Sequence, residues 1–236
     1  MKNIPVRERL IFAMDVQSAD SARALVEVLG DSVVFYKIGL ELMMAGGYFE
    51  LLDWLVARGK RVFVDLKFFD IPATVAAAIA RLNGRGVTFA TVHGNQSIME
   101  AAVAAAKDVQ VLAVTVLTSL DRGDLDDLGF QCDVQQLVIS RARRALAAGC
   151  AGVVSSGIEA EAIRRELGER LMVVTPGIRP VENRQEDDQK RVLTVEKAFA
   201  AGADYIVVGR PIRDAADPKA AAEAIQASIL AFHAAR

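Results

Sequence analysis

Eight short runs rich in β-branched and aromatic residues punctuate the chain, at 10–15, 33–38, 61–67, 87–93, 111–117, 152–155, 171–175 and 205–208. Between them lie longer, Ala-rich segments whose apolar residues recur at helical spacing. This alternation constrains the fold more than any other feature, because a strand followed repeatedly by a crossover helix builds a parallel sheet. Helices are predicted over 18–29, 72–82, 97–107, 134–147, 159–167, 195–201 and 218–233, with Ser18 and Asp217 as N-terminal caps. The segment 40–58 carries Gly46-Gly47 and is expected to split into two helical pieces.

Eight βα units in 236 residues suit an α/β fold of one domain spanning 1–236, a single (β/α)8 TIM barrel, for which about 250 residues is typical. A doubly wound open sheet is the rival. It would usually carry a glycine-rich phosphate loop after the first strand, where this chain reads Met14-Asp-Val-Gln-Ser18. Two connections, 118–133 and 179–191, are longer and more polar than the rest, and such loops are more often functional than ornamental.

Composition narrows the function. Apolar residues make up 53% of the chain, yet charged residues interrupt every apolar run short of a membrane span. The N-terminus lacks the apolar stretch of a secretory signal, so a cytoplasmic location is expected. Cys132 and Cys150 are too few for a disulfide framework and lack metal-ligand spacing. A net charge of −2 with interspersed signs offers no footprint for nucleic acid, so any phosphate site must be local.

Chemistry concentrates where the third strand ends. Val62-Phe-Val-Asp-Leu-Lys-Phe-Phe-Asp-Ile-Pro-Ala-Thr74 sets Asp65, Lys67 and Asp70 in a D-x-K-x-x-D pattern. In an extended strand Asp65 and Lys67 share a face, whereas Asp70 falls in the turn before Ile71-Pro72, where proline opens a helix. A barrel keeps its active site at the C-terminal mouth, so every strand end matters. The others carry Asp15, Lys37, His93, Thr118 with Ser119, Pro176-Gly177-Ile178-Arg179, and Gly209-Arg210. Loops after the last two strands frequently bind phosphate in barrels; Gly209 permits close backbone approach, and Arg179 and Arg210 offer bidentate donors. A surface role for Arg210, paired with Asp214 or Asp217, is the plainer alternative. His93 has no Ser or Cys partner and is read as structural rather than as an acid or base.

Taken together, Ala13-Met-Asp15, Tyr36-Lys-Ile-Gly39, Val64-Asp-Leu-Lys-Phe-Phe-Asp-Ile-Pro72, Thr91-Val-His-Gly94, Val116-Leu-Thr-Ser119, Thr175-Pro-Gly-Ile-Arg179 with Asp188-Gln-Lys-Arg191, and Val208-Gly-Arg-Pro211 resemble the bacterial type of the orotidine 5'-phosphate decarboxylase family. D-x-K-x-x-D alone also marks sugar-phosphate decarboxylases and aldolases of the same superfamily; the full set is far more specific.

The resemblance implies a lyase, without cofactor or metal, that converts orotidine 5'-monophosphate to UMP and carbon dioxide in the last step of de novo UMP synthesis. It further implies that Lys67 protonates C6, that Asp65 lies beside the departing carboxylate, and that Lys37 joins the charged array. Asp70 would come from the partner subunit of a homodimer with shared sites. Asp15, Lys37 and the partner's Thr74 would hold the ribose, with Ile71 a further substrate contact. Thr118 or Ser119 would border the base, and Arg179, Gln189, Gly209 and Arg210 would grip the phosphate.

Two alternatives are weighed. A magnesium-dependent sugar-phosphate decarboxylase or aldolase is disfavoured by Lys37, which would repel the cation. A non-catalytic nucleotide-binding barrel would need a broken charged array, yet Lys37, Asp65, Lys67 and Asp70 are all present.

Overall fold

The computed structural model describes residues 2–179 and 193–235. Its eight strands are β1 Leu10–Ala13, β2 Phe35–Gly39, β3 Arg61–Phe68, β4 Val87–His93, β5 Gln110–Val114, β6 Gly152–Val154, β7 Met172–Thr175 and β8 Tyr205–Val208. They pair in parallel in sequence order, and β8 returns to β1 through Leu10↔Ile206, Ile11↔Val207 and Phe12↔Val208, closing the barrel.

Around it run α1 Ala19–Leu29, α2 Leu40–Ala45, α3 Tyr48–Ala57, α4 Pro72–Ala80, α5 Gln96–Ala105, α6 Arg122–Asp127, α7 Val134–Ala147, α8 Gly157–Leu167, α9 Val195–Ala200, α10 Arg210–Arg213 and α11 Pro218–Ala234. The caps explain several starts. Ser18 and Asp217 accept the amides of Ser21 and Ala220 through their side chains, and Pro72 opens α4, where its missing N–H costs nothing. Gly46 and Gly47 both take positive φ, which breaks 40–58 into α2 and α3 as expected.

Strand parity sorts two cores. Outward residues such as Leu10, Phe12, Tyr36, Ile38, Val62 and Val64 pack under the helices. Inward residues Ile11, Phe35, Phe63, Phe89 and Tyr205 fill the lower barrel, with ring centroids 5.3–6.0 Å apart. Stepping two residues further along β2 and β3 carries the inward face from Phe35 to Lys37 and from Phe63 to Asp65. The aromatic floor thus passes into a charged layer within one step. Below the floor, buried Asp204 receives Lys2, Arg164 and the Val173 amide, tying the N-terminal segment to β7 and β8.

Three expectations need correction. β1 ends at Ala13 rather than Asp15, although the Met14 amide still donates to the Lys37 carbonyl, so Asp15 sits just past the strand. β5 ends at Val114 rather than Leu117, because the chain has begun to turn by Leu117, whose carbonyl accepts the Leu120 amide. The connection 118–133 is not all loop: it holds α6, nucleated by reciprocal capping between Asp121 and Asp124.

Candidate active site

Four side chains at the mouth form an alternating ion chain. Lys37 Nζ lies 3.4 Å from Asp15 Oδ1 and 3.2 Å from Asp65 Oδ2, and Lys67 Nζ lies 2.9 Å from the same Asp65 oxygen. Asp65 is the hub, only 7% exposed, while Asp15 and Lys67 stand at the more open ends. Burial alone would raise the Asp65 carboxyl. Lys37, Lys67 and hydrogen bonds from Lys67 and Thr91 overcome that and hold it at about 2. Lys37 is likewise subject to burial, which favours the neutral amine, but Asp65 and Asp15 outweigh it and push the ammonium above its ordinary range. Lys37 and Asp65 are therefore both charged at neutral pH.

Asp65 and Lys67 meet as strand alternation predicts, though by a less regular route. The β3–β4 ladder pairs Val64 with Ala90 and then Phe68 with Val92, so β3 carries extra residues at this point. Lys67 takes φ +48°, the one positive φ at a non-glycine among the described residues. Such a backbone costs on the order of 1 kcal/mol or more and persists only where its surroundings enforce it.

These residues open onto a cleft of about 590 Å³, within the usual range for small-molecule sites. Asp15, Lys37, Asp65, Lys67, Thr118, Arg179, Gly209 and Arg210 all line it. Val114, Val154 and Val207 add an apolar wall from β5, β6 and β8, so one side of the cleft suits a ring and the other suits charge. Ile178 and Leu193 pair in a parallel β-bridge beside Arg179. Gln189, with Asp188, Lys190 and Arg191, lies outside the described residues.

Not every expected residue reaches the cleft. Asp70, Ile71 and Thr74 are exposed beyond the end of β3, and Ser119 is exposed next to Thr118, which does line the cleft. Asp70 accepts the Ile71 amide at 2.6 Å. His93 is half-buried with its ring 4.7 Å from that of Phe69; burial first, then Arg141 and Lys67, lower its pKa.

Some contributors escaped the sequence reading. Arg213 lines the cleft, donates to the Asp15 carbonyl at 2.7 Å and pairs with Asp214, the surface partner considered for Arg210. Only its place one helical turn after Arg210 could have pointed to it. Glu41, at the start of α2, lines the cleft without any strand-end signal. Among the described residues no group of three or more His, Cys, Asp or Glu could hold a metal ion.

Comparison with known proteins gives these features a family. The sequence pattern of the Orotidine 5'-phosphate decarboxylase / HUMPS family matches residues 8–225. The chain is 66% identical to the orotidine 5'-phosphate decarboxylase of Methylococcus capsulatus, over 97% of this chain and 94% of that one. It is 54% identical to the protein of the same name from Stenotrophomonas maltophilia, over 99% and 98%. The crystal structure of orotidine 5'-phosphate decarboxylase from Lactobacillus acidophilus superposes with a TM-score of 0.83 at 33% identity, covering 94% of this chain and 99% of that one.

Proposed function

The chain belongs to the Orotidine 5'-phosphate decarboxylase / HUMPS family, and from that premise we propose that Lys67 is the acid of its reaction. The enzyme converts orotidine 5'-monophosphate to UMP and carbon dioxide in pyrimidine biosynthesis. The bond from C6 to the carboxylate carbon breaks and leaves its electron pair on C6, in an in-plane orbital that the ring π system cannot delocalise. Lys67 gives that carbon a proton from Nζ, carbon dioxide departs, and the neutral amine regains its proton from water. Preorganised positive charge at the point where negative charge develops is the main source of acceleration.

The observation that carries this reading is the ion chain from Asp15 through Lys37 and Asp65 to Lys67. Both lysines bind one oxygen of Asp65, so when Lys67 gives up its proton Asp65 keeps Lys37 as a counter-ion. An orphaned buried carboxylate, which would be costly, is avoided. Asp65 lies beside the substrate carboxylate, where its negative charge also discourages the ground state, a minor contribution in our reading. Lys37 occupies the space between Asp15 and Asp65 that a magnesium ion would need, which speaks against the metal-dependent relatives.

The rest of the substrate follows the lining of the cleft. Asp15 and Lys37 bind the ribose hydroxyls, Thr118 borders the base, and Arg179, Gln189, Gly209 and Arg210 bind the phosphate. Asp70, Ile71 and Thr74 serve the site of a second copy in a homodimer. In support, Met44, Phe69 and Ile71 are large apolar side chains exposed by 83%, 66% and 68% near the mouth. Residues 1–236 act as a single catalytic domain, working in the cytoplasm.

The test is Lys67→Ala, assayed with orotidine 5'-monophosphate alongside wild type treated with EDTA. Turnover of the variant should fall by more than about a thousandfold, roughly 4 kcal/mol, with UMP binding still measurable and the chelated wild type fully active. A variant that keeps more than about a tenth of kcat removes Lys67 from this role.

A further inference from the structure

Thr91 is the residue of β4 that the reaction as described leaves without a task. It is fully buried, continues the inward face of Phe89 into the charged layer, and does not line the cleft. Its neighbours Ala90 and Val92 are apolar. A threonine hydroxyl has one proton to donate and lone pairs to accept with, and here both capacities point into the ion array. The hydroxyl donates to Asp65 Oδ1 at 2.9 Å and accepts the backbone amide of Lys67 at 3.0 Å.

We infer that Thr91 is a positioning residue for the decarboxylation, its hydroxyl locking the Asp65 carboxylate and the Lys67 backbone into one rigid unit. This rests on the reading of Lys67 as the acid. The Lys67 amide falls where the β3–β4 ladder is irregular, and it bonds to the Thr91 hydroxyl; without that oxygen a partly buried donor would lose its partner at a residue with a left-handed backbone. On the acidic side the two Asp65 oxygens have different partners. Oδ2 takes both lysines and Oδ1 takes Thr91, so the hydroxyl fixes the rotation of the carboxylate and thereby the direction in which it holds Lys67 Nζ. Misplacing a reacting group by about 1 Å can cost on the order of a hundredfold in rate.

The test compares Thr91→Val, which keeps the β-branched shape and removes the hydroxyl, with Thr91→Ser, which keeps the hydroxyl. For each, kcat, KM for orotidine 5'-monophosphate, Kd for UMP and Tm are measured beside wild type and Lys67→Ala. Thr91→Val should lose about tenfold to a hundredfold in kcat, with KM and UMP affinity nearly unchanged and Tm lowered by only a few degrees for the lost hydrogen bonds, and Thr91→Ser should stay within about threefold of wild type. The inference is overturned if Thr91→Val keeps more than about half of kcat, or if Thr91→Ser falls as far as valine. It is equally overturned if UMP affinity falls as far as kcat does, since the hydroxyl then supports the whole site or the fold rather than the alignment of the reacting groups. Full activity in Lys67→Ala would instead sink the assignment of the acid, and the inference with it.

Discussion

Asp65 and Asp70 belong to one short segment and have opposite surroundings. Asp65 is buried at the strand end and receives Lys37, Lys67 and Thr91 within 3.2 Å. Asp70 is exposed in the following turn, flanked by Phe69 and Ile71, which are apolar and also exposed. The first half of the segment is electrostatically complete inside its own barrel. The second half presents an acid flanked by exposed apolar side chains, which fits the proposal that a second copy of the chain covers it. On the proposed function, one copy of the chain holds the charged array and leaves Asp70 to the site of a second copy.

The comparison can be broken most sharply at its exposed half. If the proposed homodimer forms through this face, replacing Phe69 and Ile71 together by Asp should convert it to monomers, seen by light scattering after size-exclusion chromatography. Activity should fall by about a hundredfold or more, nearly 3 kcal/mol, because each site loses the partner's segment. The barrel itself should stay folded, as neither side chain is part of its core. A dimeric, active double variant would show that this face has another use.

The buried half is probed by acid, with a smaller effect. The carboxyl of Asp65 is held at about 2, below the value near 4 of an unfolded aspartate. A depressed pKa means that the folded state prefers the ionised form. The resulting stability is present above pH 4 and is lost as pH falls through 4 toward 2. It amounts to about 2 kcal/mol. Denaturant unfolding between pH 6 and pH 2.5 should therefore show a steeper loss of stability in wild type than in Asp65→Asn. Matching pH profiles for the two would mean that the ion chain adds nothing to folding.

Much of this was legible in the sequence, for definable reasons. The barrel strands read as apolar runs because both their faces are buried, and the helices announced themselves through periodicity and caps such as Ser18 and Asp217. Asp15, Lys37, Asp65 and Lys67 were readable because charge at the end of an apolar strand has few structural explanations. Helix α6 was not readable, since its six residues are too polar and too short to show a period. Thr91 was hidden because threonine is an ordinary strand former, and only the irregular β3–β4 pairing shows what its hydroxyl holds. The left-handed backbone at Lys67 was equally invisible, for lysine gives no hint of it.

The central claim is that one segment serves two sites, Asp65 and Lys67 at home and Asp70 across the interface. Inactive Lys67→Ala and Asp70→Ala proteins, mixed in equal amounts and allowed to exchange subunits, test it most directly. Half of the dimers become mixed, and each mixed dimer has one site with both residues intact, so roughly a quarter of wild-type activity should return. No recovery after exchange has been verified, for example by mass spectrometry of the intact dimers, would contradict the claim.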